Sequence, residues 1–377
     1  MAKIAEMKPV LLKVTDKTHW LFVMIVTDDG FTGLGEATLA GEHLQISACI
    51  RKLAQQMKGC SSESINAFEP RFAVDRGGLA QRAAASAAEQ ALWDIAGKRL
   101  NRPVHALLGG AVRNRIPVYA NINRGTLDRT PNGFAEKAHK AVDSGFRYVK
   151  ISPFDGLGSG DALADTQKLD QGMERIRAVV DALDNKAKLM IDCHELFDEF
   201  QALEMLGKVA DFRPYWVESP VRENTIRLKG LKRLRKAADD LGIRFAGLEK
   251  KYTLAQFLPY LEAGIYDVIM PDVKYCGGLK ALQHIAALAG VYGVTVSPHN
   301  PTGPVCHLAS IHAAATLDNF LILEHQFDET PLFYGLGIQD VPSIENGRIT
   351  VPNSPGLGFE LDDAAVQQFG ISDGIGA

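Results

Sequence analysis

The sequence predicts an α/β protein in which a parallel β/α barrel follows a smaller α+β module. Three observations predict it. The chain has 377 residues, more than a barrel of roughly 250 residues requires, which leaves room for a second module. From residue 116 onward, eight apolar strand-like runs alternate with helix-compatible segments, and eight parallel strands joined by helices close on themselves. Six successive runs also end on an ionisable residue: Asp192 with His194 two positions on, then Glu218, Glu249, Asp272, His299 and Glu324. A parallel β/α sheet keeps its chemistry at those carboxyl ends.

Taken in order, residues 9–14 and 20–27 read as strands separated by the polar stretch 15–19, and Asp28-Asp-Gly30 turns the chain back into 31–36. This opening is an antiparallel sheet. Alanine and leucine then recur at helical spacing over 42–58 and 79–99, and Pro103 with Gly109-Gly110 closes the segment. Residues 1–115 are therefore expected to form an α+β capping module. The barrel, residues 116–330, takes its strands from 116–122, 147–151, 188–192, 215–218, 243–247, 266–270, 293–297 and 320–323. Helix-compatible segments fall at 134–142, 173–183, 202–210, 226–241, 254–263 and 279–289. A long loop, 153–161, follows the second strand and is expected over the barrel mouth. The pattern fades after 330, and 331–377 is expected to return to the first module.

Composition narrows the class of function. A formal net charge of −4 with both signs interspersed leaves no basic footprint for nucleic acid, so the expected partner is a small molecule. The five cysteines, Cys49, Cys60, Cys193, Cys276 and Cys306, lack CxxC spacing and read as free thiols in a reducing cytoplasm. No signal-like segment opens the chain and no apolar run approaches about 18 residues, so no membrane partner is expected.

Asp192, Glu218 and Glu249 end three consecutive strands and are expected to converge. Three carboxylates brought together repel unless a cation shares the site. An oxygen-only donor set favours a hard divalent ion, and Mg²⁺ tolerates few protein ligands. His299 follows Asp272 by one strand, so the two are expected as neighbours. A carboxylate beside an imidazole fixes its tautomer and makes it a better proton acceptor. His194 shares the face of Asp192, within reach of a departing hydroxyl.

These features, with Gly33-Leu-Gly-Glu36, the stretch 91–98, the segment from Pro103 to Gly110, Gly277-Gly278 and Pro355-Gly-Leu-Gly358, resemble the enolase superfamily in its mandelate racemase and muconate lactonizing branch. The resemblance implies a (β/α)7β TIM-like barrel, an α+β cap completed by the C-terminal segment, an essential Mg²⁺ on Asp192, Glu218 and Glu249, and a homo-oligomer. It further implies that His299 with Asp272 is a general base and that Glu324 binds the substrate carboxylate, protonated in the complex. Lys150 stands where the branch begins Lys-x-Lys, but the second lysine is replaced by Ser152, whose hydroxyl is too weak a base. That departure counts against a two-base racemase. Lys150 then supplies a cation near the substrate carboxylate, or, if the register slips, the base itself. Members that dehydrate sugar acids place a general acid where His194 stands; a hydrogen-bonding or packed histidine is the alternative. Lys274 reads as a second-layer or surface cation. For substrate binding the resemblance places His19, Trp20 and His43 in loops over the mouth, with Arg124 after the first barrel strand and Ser152 opposite His299. The expected activity is Mg²⁺-dependent dehydration of a sugar acid to a 2-keto-3-deoxy acid. The rivals are a racemase, epimerase or cycloisomerase, and a non-catalytic metal-dependent binder.

Overall fold

A computed structural model describes residues 1–67, 78–158 and 162–371. The chain opens with β1 (Ile4–Lys13), β2 (His19–Thr27) and β3 (Thr32–Glu36), an antiparallel sheet in that order. Helices His43–Met57 and Leu79–Leu100 cover one face. The glycines of Gly33-Leu-Gly-Glu36 have a steric cause. A Cβ at Gly35 would come within 1.8 Å of the Ala87 carbonyl oxygen, and one at Gly33 within 2.2 Å of that of Ala91. Two glycines on the strand and small residues on the helix let the two backbones touch, which no larger side chain permits.

The second sheet is built from parallel neighbours in chain order: β4 (Arg115–Asn121), β5 (Tyr148–Ile151), β6 (Lys188–Asp192), β7 (Trp216–Glu218), β8 (Phe245–Gly247), β9 (Val268–Ile269) and β10 (Thr295–Val296). β11 (Leu323–Gln326) pairs in parallel with β4 at the other end of the row. An isolated parallel bridge joins Val296 of β10 to Phe320, three residues before β11. Each expected strand has a counterpart, but β9 and β10 keep only two paired residues each.

Side-chain alternation separates two surfaces of this sheet. One carries Tyr119, Met190, Trp216, Ala246, Val268, Met270 and Ile322, a small buried cluster with one contribution from most strands. The other packs against the helices in the largest core, and a third cluster fills the first module. Two residues beyond the small cluster, on the same face, come Asn121, Asp192, Glu218, Asp272 and Glu324. The apolar plug is thus the floor on which the polar side chains stand.

The end of the chain departs from expectation. β12 (Ile344–Glu345) and β13 (Arg348–Thr350) form a hairpin whose second strand pairs antiparallel with β4, so this stretch extends the larger sheet. Only afterwards does the chain return to the first module. There the Leu357 amide donates to Asp94 Oδ1 at 2.8 Å, and the Ile371 amide donates to the Leu11 carbonyl at 3.0 Å. The two modules are also fastened through Glu36. Buried at the end of β3, it accepts from the Thr302 hydroxyl at 2.7 Å, the Gly303 amide at 2.8 Å and the Cys306 amide at 2.9 Å. These donors open the helix Pro304–Thr316, whose first N–H groups lack partners within the helix. No helix among the described residues is long and apolar enough to cross a membrane, and the five cysteines are unbridged.

Candidate active site

β5 places Lys150 above the Tyr119 ring, where it is buried. Its ammonium donates to Glu218 Oε1 at 3.1 Å and lies 2.7 Å from Glu324 Oε1 and 3.8 Å from Asp192 Oδ2. Burial alone would lower its pKa, but the carboxylates of Glu218 and Glu324 raise it well above the usual lysine value. Asp192 and Glu218 face each other in register across β6 and β7. Glu218, fully buried, also accepts from Trp216 Nε1 at 3.2 Å. Burial pushes its carboxyl well above the usual range; Lys150 opposes this, while the like charges of Asp192, Glu324 and Glu249 add to it.

Glu249 lies two residues beyond β8, past Leu248, whose φ of 71° is left-handed. That turn is held by Glu223, whose Oε1 accepts from the Leu248 amide at 2.8 Å and from the Tyr266 hydroxyl at 2.9 Å. Asp192 takes its hydrogen bonds from His194: Nε2 at 2.9 Å and the backbone amide at 2.9 Å. Burial raises the Asp192 pKa, but His194 and Lys150 outweigh it and hold the carboxyl low. The Asp192 charge in turn raises the pKa of His194 against the effect of burial.

His299 Nδ1 is 2.7 Å from Asp272 Oδ2, and its Nε2 lies 3.5 Å from Glu249 Oε2. The same Asp272 oxygen accepts from Lys274 Nζ at 2.7 Å, and Oδ1 accepts from the Lys274 amide at 2.8 Å. Burial would raise the pKa of Asp272, yet Lys274 and His299 keep it below the usual value. Lys274 is only 2% exposed, so of the two expected positions the surface one fails and the second-layer one agrees with the structure, the ammonium being held by Asp272. Glu324 accepts from Asn121 Nδ2 at 2.7 Å and the Asn300 amide at 2.8 Å. Against burial, Lys150 and His299 hold its pKa at about 2, so it is ionised in this state.

A cavity of about 210 Å³ opens among these groups, with Lys150, Asp192, His194, His299 and Glu324 in its wall. Glu218 and Glu249 lie outside that wall. The strands bring the three expected metal ligands to adjacent ends, but among the described residues no group of three or more His, Cys, Asp or Glu side chains is arranged to hold an ion. Asp192 and Glu218 instead turn to His194 and Lys150. The donor set still suits a hard divalent cation: all its donors are oxygens, and the one buried ammonium of Lys150 is shared among the carboxylates of Asp192, Glu218 and Glu324.

The expected substrate contacts separate into two groups. Arg124 lines the cavity. Ser152 does not; its hydroxyl accepts from Asn123 Nδ2 at 2.9 Å and lies 3.3 Å from His194 Nε2. His19 and Trp20 belong to β2 rather than a loop, and His43 begins a helix. Trp20 is a core residue, 1% exposed and packed edge-on against Phe22 and Phe333. His19 and His43 stack on each other with centroids 4.9 Å apart, and none of the three reaches the cavity. The first module contributes Thr38, Leu39 and Ala40 instead. Of the expected lid loop, residues 159–161 lie outside the described residues. The part that is described is tied down by Arg129, which donates to the Ser152 carbonyl and to Asp155, and does not line the cavity.

Sequence reasoning also missed Asn121, Asn123, Gln326 and Tyr275 in the wall. Strand alternation would have found two of them, since Asn121 stands two positions after Tyr119 and Gln326 two after Glu324.

Two family models match the chain: "Mandelate racemase / muconate lactonizing enzyme, N-terminal domain" over residues 2–109 and "Enolase C-terminal domain-like" over 133–365. A D-gluconate dehydratase of Thermoproteus tenax is 30% identical, covering 98% of this chain and 74% of that protein. A D-galactonate dehydratase of Verminephrobacter eiseniae is 28% identical, covering 94% of each. Among solved structures, a mandelate racemase/muconate lactonizing enzyme from Jannaschia sp. CCS1 superposes with a TM-score of 0.87 at 27% identity, covering 98% of both chains. One from Sulfitobacter sp. superposes with a TM-score of 0.86 at 28% identity, covering 98% of this chain and 96% of the other.

Proposed function

Because the chain belongs to the mandelate racemase/muconate lactonizing enzyme family of the enolase superfamily, we propose that it is a Mg²⁺-dependent acid-sugar dehydratase. One observation carries the reading: two histidines, each held by its own carboxylate, face the same cavity with a buried lysine in its wall. An elimination needs one group to take a proton and another to give one. In a racemase of the two-base kind Ser152 or Lys150 would have to act as the second base; the Ser152 hydroxyl is hydrogen-bonded by Asn123, and the Lys150 ammonium is held by Glu218 and Glu324. The dehydratases among the relatives support the same choice.

In this reading Asp272 accepts from Nδ1 of His299, which leaves Nε2 as the proton acceptor. His299 takes the proton from the carbon next to the carboxylate. Lys150 and Asn121 meet the negative charge that develops on the carboxylate, each well-aimed donor contributing on the order of 3 kcal/mol. The freed electron pair forms the carbon–carbon double bond as the β-hydroxyl departs, and His194 supplies the proton that makes it water. The enol product then tautomerises to a 2-keto-3-deoxy acid. Asp192, Glu218 and Glu249 are the residues that would hold Mg²⁺, which when bound supplies a Lewis acid for the carboxylate.

The same reading closes the larger sheet into a (β/α)7β barrel through β11 on β4 and the Val296–Phe320 bridge. It divides the chain into a cap (1–115), a barrel (116–330) and a C-terminal segment (331–377) that adds a hairpin to the larger sheet before it returns to the cap. Incubation with D-gluconate and D-galactonate in deuterated water tests the chemistry. A dehydratase gives a keto acid that reacts with semicarbazide, and His299→Asn abolishes it. An isomer of unchanged composition apart from exchange would instead establish a racemase or epimerase.

A further inference from the structure

The basic side chains around the cavity already have anionic partners from the chain. Lys150 is shared among Glu324, Glu218 and Asp192, and Lys274 is held by Asp272. The third is Arg124, whose Nη1 lies 3.4 Å from Glu329 Oε2. Glu329 is firmly placed: its side chain is 7% exposed, and its Oε1 accepts from the Thr18 hydroxyl at 2.5 Å. Thr18 is itself fixed, since its amide donates to Thr15 Oγ1 at 2.9 Å in the turn between β1 and β2. Glu329 therefore joins a turn of the first module to the one cavity cation not engaged with Asp192, Glu218, Asp272 or Glu324.

Besides Arg124, the two lysines and the residues engaged with them, the cavity wall carries the uncharged polar side chains of Asn121, Asn123, Gln326 and Thr38. A wall of amides and hydroxyls suits the hydroxyl groups of a polyol, each of which both donates and accepts. A second carboxylate or a phosphate entering there would shed its hydration without an uncommitted cation to replace it, and would approach the Glu329 charge.

The geometry points to Glu329 as a specificity-determining residue: by neutralising Arg124 it makes this wall a site for neutral hydroxyls, so that sugar monoacids are accepted and the corresponding diacids and phosphorylated acids are rejected. The inference rests on the acid-sugar reading above. Glu329→Gln keeps the shape and the Thr18 contact while freeing the Arg124 charge. Arg124→Gln in that background removes the charge again.

The experiment compares D-gluconate with D-glucarate, and D-galactonate with galactarate, by kcat/KM for keto-acid formation and by calorimetric binding. Melting curves establish that each variant is folded. The unaltered enzyme is expected to favour the monoacid of each pair by about 100-fold, and Glu329→Gln to raise kcat/KM for the diacid by at least about tenfold. Arg124→Gln is expected to abolish that gain. Equal use of monoacid and diacid by the unaltered enzyme, or a folded Glu329→Gln variant without the gain, overturns the proposal. Should no sugar acid be turned over, the dehydratase reading falls by itself and binding decides this one. Monoacid binding that shifts toward the diacid in Glu329→Gln supports it, and binding without preference, or none, overturns it.

Discussion

Asp272→Asn separates what this carboxylate does for the fold from what it does for the chemistry. Asp272 is fully buried, and one of its oxygens serves both Lys274 Nζ and His299 Nδ1, each at 2.7 Å. Asparagine fills the same space but leaves Lys274, 2% exposed, as a buried cation without its anion. Removing one partner of such a pair costs about 3–5 kcal/mol. Lys274→Met strands the carboxylate and costs a similar amount. With both changes no lone charge remains, so the double variant should be more stable than the sum of the single losses by about 2–3 kcal/mol. Catalysis follows a different rule: loss of the carboxylate weakens His299 as a base, lowering α-proton exchange by about 10²–10⁴-fold, and removing Lys274 does not restore it. Denaturant unfolding of the four proteins gives the coupling, and mass spectrometry of substrate incubated in deuterated water gives the exchange rate. Losses additive to within about 0.5 kcal/mol, or a double variant that regains exchange, would refute the reasoning.

Three further outcomes are expected. Ser152→Ala lowers kcat by less than about tenfold, against about 10²–10⁴-fold for His299→Asn; a loss as large as that of His299→Asn would put the hydroxyl in the chemistry. Burial pushes the Glu223 carboxyl up to about 7, against the opposing effect of Lys251. Because the folded carboxyl keeps its proton to higher pH than the unfolded one, stability falls as pH rises from about 4.5 through about 7, by up to about 3 kcal/mol. Glu223→Gln should therefore flatten the profile and gain most on the unaltered protein above pH 7, and parallel curves in denaturant unfolding would contradict the assignment. Exhaustive chelation should abolish turnover and Mg²⁺ should restore it. Mg²⁺ at 100 times its Kd should also stabilise the fold by about 2.7 kcal/mol, and full activity at a metal content verified as negligible would remove the ion from the reaction.

What could be read from the sequence followed from burial and alternation. A run such as 188–192 is apolar because it is buried and ends in a carboxylate because the sheet opens to the cavity there, so Asp192, Glu218, Asp272 and Glu324 fell on the right face. The orientation of side chains that travel far from their backbone could not be read. Lys274 was left between a second-layer and a surface position because nothing in the chain order shows that its ammonium folds back onto Asp272 two positions away. Trp20 was expected both at the start of the strand 20–27 and, from the resemblance, near the mouth; the strand reading holds, and β2 turns the indole into the core. Asn121, Asn123 and Gln326 carry no charge and so went unnoticed, although alternation from Tyr119 and Glu324 leads to the first and the last of them. The hairpin 344–350 was overlooked although its turn, Asn346-Gly347 with both residues at positive φ, is a hairpin signal; what the chain order does not show is that its second strand pairs with β4.

The hold of Glu36 on the opening turn of the helix Pro304–Thr316 bears on how such proteins can be recombined. Thr38, Leu39 and Ala40, which line the cavity, begin two residues past that carboxylate, while Pro301, also in the wall, precedes its hydroxyl donor by one. Any chimera that transplants the N-terminal module from a relative therefore inherits a docking requirement more than two hundred residues away in the chain. An acceptor at position 36 without a hydroxyl at 302, or facing a proline at 303 or 306, would lose a donor and leave part of a desolvated charge unmet in the seam.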